Sequence, residues 1–312
     1  MQIFKYISAI LLITFVACNP VPDIDDSTML DGDQIFDLTL TRPEKYLVSE
    51  YMPEPTEAQK DTPVIIAAHG YTATTFEWDE LREFADSART FYVSQVLLGG
   101  HGRTYEDFKT SDWKEWQSSI VNEYVKLHLL GFRNIYLAGS STGAPLVLQM
   151  FKSGMFANYT KPRGVFLIDP IVVSGNKTLT LVNLLGPVLG YSAVNLDTNE
   201  AGKWYVYRPQ ETLKQLMALI DLTRKDLENG ITLTPGTELK VYKSIVDATA
   251  DPVSAVLIHK GVRKSNGALT DVEMVDSKLH VFTRLRGRDS YTPKDIQLQQ
   301  KAFKDMENRM TR

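Results

Sequence analysis

A single cysteine, Cys18, stands in the 312 residues. One thiol forms no internal disulfide and cannot supply the paired sulfur ligands of a structural zinc site. Basic runs are also missing. The 34 Lys and Arg against 38 Asp and Glu leave a net charge of -4, which gives nucleic-acid phosphates little to hold. The five histidines (His69, His101, His128, His259 and His280) are scattered. None belongs to a histidine–carboxylate cluster with metal-ligand spacing, so no metal or cofactor is implied. The apolar stretch from Ile7 to Ala17 is too short for a comfortable transmembrane helix. No internal repeat is visible. What remains is ordinary for a globular chain, 43% hydrophobic and 23% charged, and long enough to bury a core without disulfides or metals.

The N-terminus stands apart from the rest. Lys5, the apolar stretch to Ala17 and the small residues before Cys18 have the form of a secretory signal over residues 1–17. Residues 18–33 are polar and acidic, with Pro20, Pro22, Asp23, Asp25 and Asp26, as in a flexible tether. Phe15-Val16-Ala17-Cys18 resembles the lipobox of bacterial lipoproteins. That resemblance implies lipidation of Cys18. The mature protein would then be anchored by lipid in the bacterial cell envelope, on the outer membrane or cell surface, and not embedded.

From residue 34 onward the patterns alternate. Phe36 to Thr41 reads as a half-exposed strand, with Tyr46 to Met52 as its antiparallel partner. The continuous apolar run Pro63 to Ala68 predicts a strand covered on both faces, and further strands are predicted over Phe91 to Leu98, Asn134 to Ala138, Gly164 to Asp169 and Leu239 to Val246, with a last short one over Asp271 to Val275. Helical spacing predicts Trp78 to Ser87, Trp113 to Leu130 and a closing helix over Thr292 to Arg312. Strands and helices in alternation predict an α/β fold, a mostly parallel sheet covered by helices on both faces. Between Pro170 and Gly236 the alternation stops. About residues 171–236 therefore read as an inserted helical cap over the carboxyl edge of the sheet, its leucines forming the cap's own core.

The most informative stretch is Gly139-Ser140-Ser141-Thr142-Gly143, a G-x-S-x-G between a predicted strand and the helix that starts near Pro145. Strand, tight turn and helix form the setting of a nucleophile elbow, which would lift the Ser141 hydroxyl clear of the sheet edge. A serine hydroxyl needs a base beside it, and the base needs an orienting acid. In folds with such an elbow the chain order is nucleophile, acid, histidine. Only His259 and His280 lie beyond the acid loop, and His280 follows the last strand, where a loop can carry it over the sheet edge. His259 and His128 read as structural. The acid falls in Val246-Asp247-Ala248-Thr249-Ala250-Asp251-Pro252. Asp251 is preferred over Asp247 because Asp-Pro at a helix start fixes the loop. Two N–H donors for an oxyanion are expected from Thr142 and, across the loop His69-Gly70-Tyr71, from Tyr71. Gly70 would let the backbone approach closely, and His69 would brace that loop.

Taken together, His69-Gly70-Tyr71, Gly99-Gly100-His101-Gly102, the Ser141 elbow and the Asp251/His280 pair look like the α/β-hydrolase superfamily over most of residues 63–282. Gly-His-Gly is similar to the carboxylesterase and monoacylglycerol-lipase branch. There it shapes the pocket wall, which implies substrate contacts for His101 and Gly70. Gly99, Ser140 and Ala248 depart from the commoner residues at their positions and blur the subfamily. The resemblance implies an α/β-hydrolase domain over residues 34–312 acting as a serine hydrolase on small-molecule carboxylic esters through an acyl-enzyme. The same residues also serve peptidases, amidases and thioesterases, and a non-catalytic ligand-binding lipoprotein is the alternative of a different class.

Overall fold

The structure, a computed structural model, describes Pro22, residues 42–175 and residues 189–312. The expected signal, the tether apart from Pro22 and the Phe36–Thr41 strand lie outside the described residues, as do most of the cap leucines.

The chain enters through a short 3-10 turn, Pro43–Lys45, and two short helices, α1 (Val48–Tyr51) and α2 (Glu57–Asp61). Tyr46–Met52 was expected as a strand and is not one. Pro43 starts the turn, and the first turn of α1 is pinned by Glu123, whose carboxylate accepts from the Ser49 N–H at 3.1 Å and the Ser49 hydroxyl at 2.5 Å. The α/β alternation follows: β1 (Val64–Ala68), α3 (Asp79–Ala88), β2 (Tyr92–Val96), α4 (Tyr105–Thr110), α5 (Trp113–Leu129), β3 (Ile135–Ser140), α6 (Gly143–Lys152) and β4 (Gly164–Ile168). An insertion comes next, with a hairpin of β5 (Tyr191–Ala193) and β6 (Tyr207–Pro209) and the long α7 (Gln210–Asn229). The chain closes with β7 (Ile231–Thr232), β8 (Glu238–Ser244), α8 (Val253–Gly261), β9 (Val262–Arg263), β10 (Asp271–Val275) and α9 (Pro293–Met310). The Thr292 side chain caps α9 in a reciprocal box with Asp295.

Among the described residues six strands make the main sheet in the order β10-β8-β4-β3-β1-β2, every pair parallel. Its two faces bury alternate residues of the same strand, as the pleat requires. Val64, Ile66, Ile135 and Leu137 pack with Leu127, Leu146, Leu148 and Ile258, the side of α5, α6 and α8. Ile65, Ala67, Tyr136 and Ala138 pack with Trp78, Leu81, Phe303 and Met306, the side of α3 and α9. The expected mostly parallel sheet between helical layers is therefore what the chain forms. All six strands run the same way, so β1, β3, β4, β8 and β10 deliver their following loops to one edge. Those loops are 69–74, 141–142, 169–175, 245–252 and 276–292.

Candidate active site

The turn after β3 is forced by contact distances. A Cβ at Gly139 would stand 2.5 Å from the Gly143 carbonyl carbon, and one at Gly143 would stand 2.3 Å from the Ala68 carbonyl oxygen. No side chain fits at either position, so the strand can turn into α6 at this point only on glycines. Between them Ser141 adopts φ +47°, a left-handed backbone that serine seldom takes. The conformation is held by the Ser141 N–H on Ile168 O at 2.9 Å and by Ser141 O, which accepts the Ile171 N–H at 3.2 Å.

The loop after β1 meets the elbow. His69 is wholly buried and bridges two strand ends: its Nδ1 donates to Gly70 O at 2.9 Å, and its Nε2 accepts from the Leu98 N–H at 3.1 Å. Gly70 lies so close to the nucleophile that a Cβ there would come 3.1 Å from Ser141 Cβ. Glu77, 7% exposed, joins the two turns. Its Oε1 accepts the Gly70 N–H at 2.9 Å and also the Ser140 hydroxyl. This accounts for the small hydroxyl residue before Ser141, and it claims the Gly70 N–H. No acceptor among the described residues takes the N–H of Tyr71 or of Thr142. Both residues line the same cavity as Ser141. Two free donors beside a serine are what a developing oxyanion needs.

His280 reaches this cavity from the loop after β10, and its Nδ1 donates to Asp247 Oδ2 at 2.8 Å. The expectation that Asp251 would be its partner is corrected. The Asp251 carboxylate turns away and accepts the Val253 N–H at 2.8 Å, holding the start of α8, while its own N–H bonds to Val173 O. Asp247 has a fully buried side chain and uses both oxygens: Oδ1 accepts from Thr249 N at 2.8 Å and Ala250 N at 3.0 Å, and Oδ2 from His280 and Lys243. Burial by itself would raise this carboxyl, but hydrogen bonding to His280 and then Lys243 outweighs it and holds the group well below its usual range.

Lys243 was not anticipated. Its side chain is fully buried on β8, and its ammonium donates to Asp169 Oδ1 at 3.0 Å and Asp247 Oδ2 at 2.5 Å. Asp169, at φ +44° directly after β4, also accepts from Ser244 N at 2.7 Å, from the Ser244 hydroxyl at 3.1 Å and from Phe282 N at 3.2 Å. The network locks the ends of β4 and β8 to the histidine loop. Asp169, Asp247 and His280 present ligand atoms within 4.8 Å of one another, but the Lys243 ammonium already stands between the two carboxylates as their cation. On the other side of the histidine, Arg288 donates to His280 O and to Val281 O, the latter at 3.4 Å, and its Nε to Arg284 O at 2.8 Å. Burial, and next the neighbouring Arg284, push its pKa down to about 10.

His101 does not line the cavity, contrary to the expectation of substrate contact. It is fully buried behind Tyr71, with ring centroids 6.4 Å apart, and packs at 4.7 Å on Phe108 and 5.4 Å on Trp116. Burial keeps it neutral, well below its usual pKa. It shapes the wall at one remove. His128 and His259 lie elsewhere, on Thr160 and the Thr270 carbonyl. The cavity measures about 250 Å³, and Trp204, Arg208, Leu213 and Leu216, from the segment between β4 and β7, also line it. Tyr71 ties that segment to the loop after β1 through its hydroxyl, 2.7 Å from the Thr212 hydroxyl, and Tyr205 N–H bonds to Thr72 O at 3.0 Å.

No protein-family model matches the chain, and no curated protein matches it. Solved structures do. A soluble variant of monoglyceride lipase from Saccharomyces cerevisiae, in complex with a substrate analog, superposes with a TM-score of 0.64 at 12% identity, covering 82% of this chain and 88% of that one. A structure reported with two metagenome-derived lipolytic enzymes gives 0.62 at 16% identity, over 80% and 94%. The monoacylglycerol lipase of Paleococcus ferrophilus gives 0.59 at 13%, over 80% and 96%. The chain thus has the α/β-hydrolase fold, with a central parallel sheet and helices around it.

Proposed function

We propose that the chain is a serine hydrolase of carboxylic esters, with Ser141 as nucleophile, His280 as general base and acid, and Asp247 as the group that orients the imidazole. The observation that carries this reading is the Asp247–His280 hydrogen bond, 2.8 Å long, at the cavity that the strained Ser141 turn also enters. With Nδ1–H given to the carboxylate, Nε2 is the nitrogen left to take the hydroxyl proton. Ser141 Oγ then bonds to the ester carbonyl carbon, and the carbonyl oxygen gains the charge that the Tyr71 and Thr142 N–H groups accept. Collapse breaks the C–O bond to the alcohol, which leaves with the proton from His280. Water repeats the sequence on the acyl-enzyme, activated by the same histidine, and releases the acid. No step calls on a metal or cofactor. The solved neighbours whose printed names are lipases or lipolytic enzymes point to esters as the substrate class.

Turnover of short-chain esters by Ser141→Ala and His280→Ala tests this. Both variants should lose nearly all activity, to similar extents because the group acts as a unit. Full activity in Ser141→Ala would end the reading. The same proposal places the enzyme in the bacterial cell envelope, lipid-anchored through Cys18 as the lipobox resemblance implies. No helix of the described residues is long and apolar enough to cross a membrane. Loss of metabolic palmitate labelling in Cys18→Ser checks the anchor.

A further inference from the structure

Among the described residues, one cation lines the cavity without a carboxylate partner. Arg208 stands on β6, paired in the hairpin with Ser192, and lines the cavity with Ser141 and His280. Its Nε–H is buried without an acceptor, and no carboxylate among the described residues pairs with the guanidinium. Its nearest aromatic neighbour is the Tyr71 ring, 6.0 Å from the guanidinium carbon. Residues 176–188, the stretch before the hairpin, contain no Asp or Glu in sequence. Burial pulls the guanidinium below its ordinary pKa, the sign of a charge short of compensation.

The other charged groups lining the cavity are engaged. Glu77, the only carboxylate among the described lining residues, accepts from Gly70 and Ser140. Arg284 pairs with Glu200 and lies 4.5 Å from the Trp204 ring, yet its Nε–H is likewise buried without an acceptor. Two guanidinium edges with unused donors thus border one small cavity. A buried donor without an acceptor is costly even on a half-buried side chain such as Arg208, and a planar fork is matched best by a carboxylate. Arg208 stands over the side chain of Tyr71, whose N–H is the proposed oxyanion donor.

We propose that the site selects esters whose acyl chain carries a second, free carboxylate, and that Arg208 is the residue that selects them. This rests on the serine-hydrolase reading above. The test compares monoethyl adipate with ethyl hexanoate, equal in acyl length and different in charge, by pH-stat on the full chain. The wild type should favour the charged ester. In Arg208→Met the ratio of the two kcat/KM values should fall about 10- to 100-fold, the loss expected for hydrogen bonds to a charged partner. Arg208→Lys, which keeps the charge and loses the fork, should recover part of that ratio. An unchanged ratio in both variants, or a wild type that prefers ethyl hexanoate, overturns the proposal. Calorimetric binding of monoethyl adipate to Ser141→Ala, with and without Arg208→Met, separates the two readings. Binding through Arg208 in a wild-type chain that hydrolyses neither ester would sink the hydrolase reading and keep the anion site. Hydrolysis of both esters without regard to Arg208 would do the reverse.

Discussion

Replacing Asp247 by Asn removes one charge at almost constant volume, and the surroundings leave the new side chain no satisfactory orientation. One carboxylate oxygen faces two N–H donors, from Thr249 and Ala250; the other faces His280 Nδ1 and the Lys243 ammonium. An amide has one oxygen. Turned toward His280 it leaves its NH2 against the two loop donors, and turned the other way it sets NH2 against a cation and favours the wrong imidazole tautomer. A triad acid replaced in this way costs about 10³ to 10⁴ in kcat, roughly 4 to 5.5 kcal/mol of transition-state stabilisation. The informative control is Asp251→Asn. Its carboxylate does no more than accept the Val253 N–H, which an asparagine oxygen does nearly as well, so activity should stay within about twofold. Steady-state kinetics on a short-chain ester, with circular dichroism to confirm folding, decides the matter. If Asp251→Asn lost more than 100-fold while Asp247→Asn kept about a tenth of the wild-type rate, the assignment of the acid would be refuted.

Lys243→Met should destabilise the fold by about 3 to 5 kcal/mol at neutral pH in urea unfolding, because Asp169 and Asp247 then lose the cation between them. Asp247 lies below its ordinary 3.8, so its stabilising contribution is present above that pH and is lost as pH falls through the lower native value. The gap between variant and wild type should therefore be widest near neutrality and begin to narrow only as pH falls below 3.8. Gly143→Ala should cost at least about 3 kcal/mol or prevent folding, since its Cβ would meet the Ala68 carbonyl oxygen at 2.3 Å. Gly154→Ala, whose Cβ meets nothing within 4 Å at φ +72°, should cost only about 1 kcal/mol in the same urea unfolding series.

The parts of the fold legible in sequence were those written in periodicity and in sterically forced residues. Continuous apolar runs marked the central strands β1 and β3 because both of their faces are covered, and the elbow could be read because Gly139 and Gly143 have no room for a side chain. The acid was harder. Asp247 and Asp251 are four residues apart in one loop, and Asp-Pro is a real helix-start signal. Asp251 does serve that start; only the fold of the loop shows which carboxylate faces the histidine. Lys243 carried no signal, because a lysine in a strand is ordinarily solvated and this one is buried by two aspartates distant in sequence or hidden in a loop. Glu77 could have been suspected only from the small Ser140 that its carboxylate requires. Tyr46–Met52 shows the opposite error: a short apolar-rich segment read as the partner of a neighbouring strand does not overrule Pro43 and the tertiary bonds from Glu123.

The proposed function requires the Ser141 hydroxyl to be an activated nucleophile. Treatment of the full chain with a fluorophosphonate, followed by intact-mass and peptide mass spectrometry, measures that directly. A single phosphonyl adduct on Ser141, absent in Ser141→Ala and strongly slowed in His280→Ala, is the predicted result. An unlabelled wild-type protein that is folded, or an adduct on any other residue, would contradict the account.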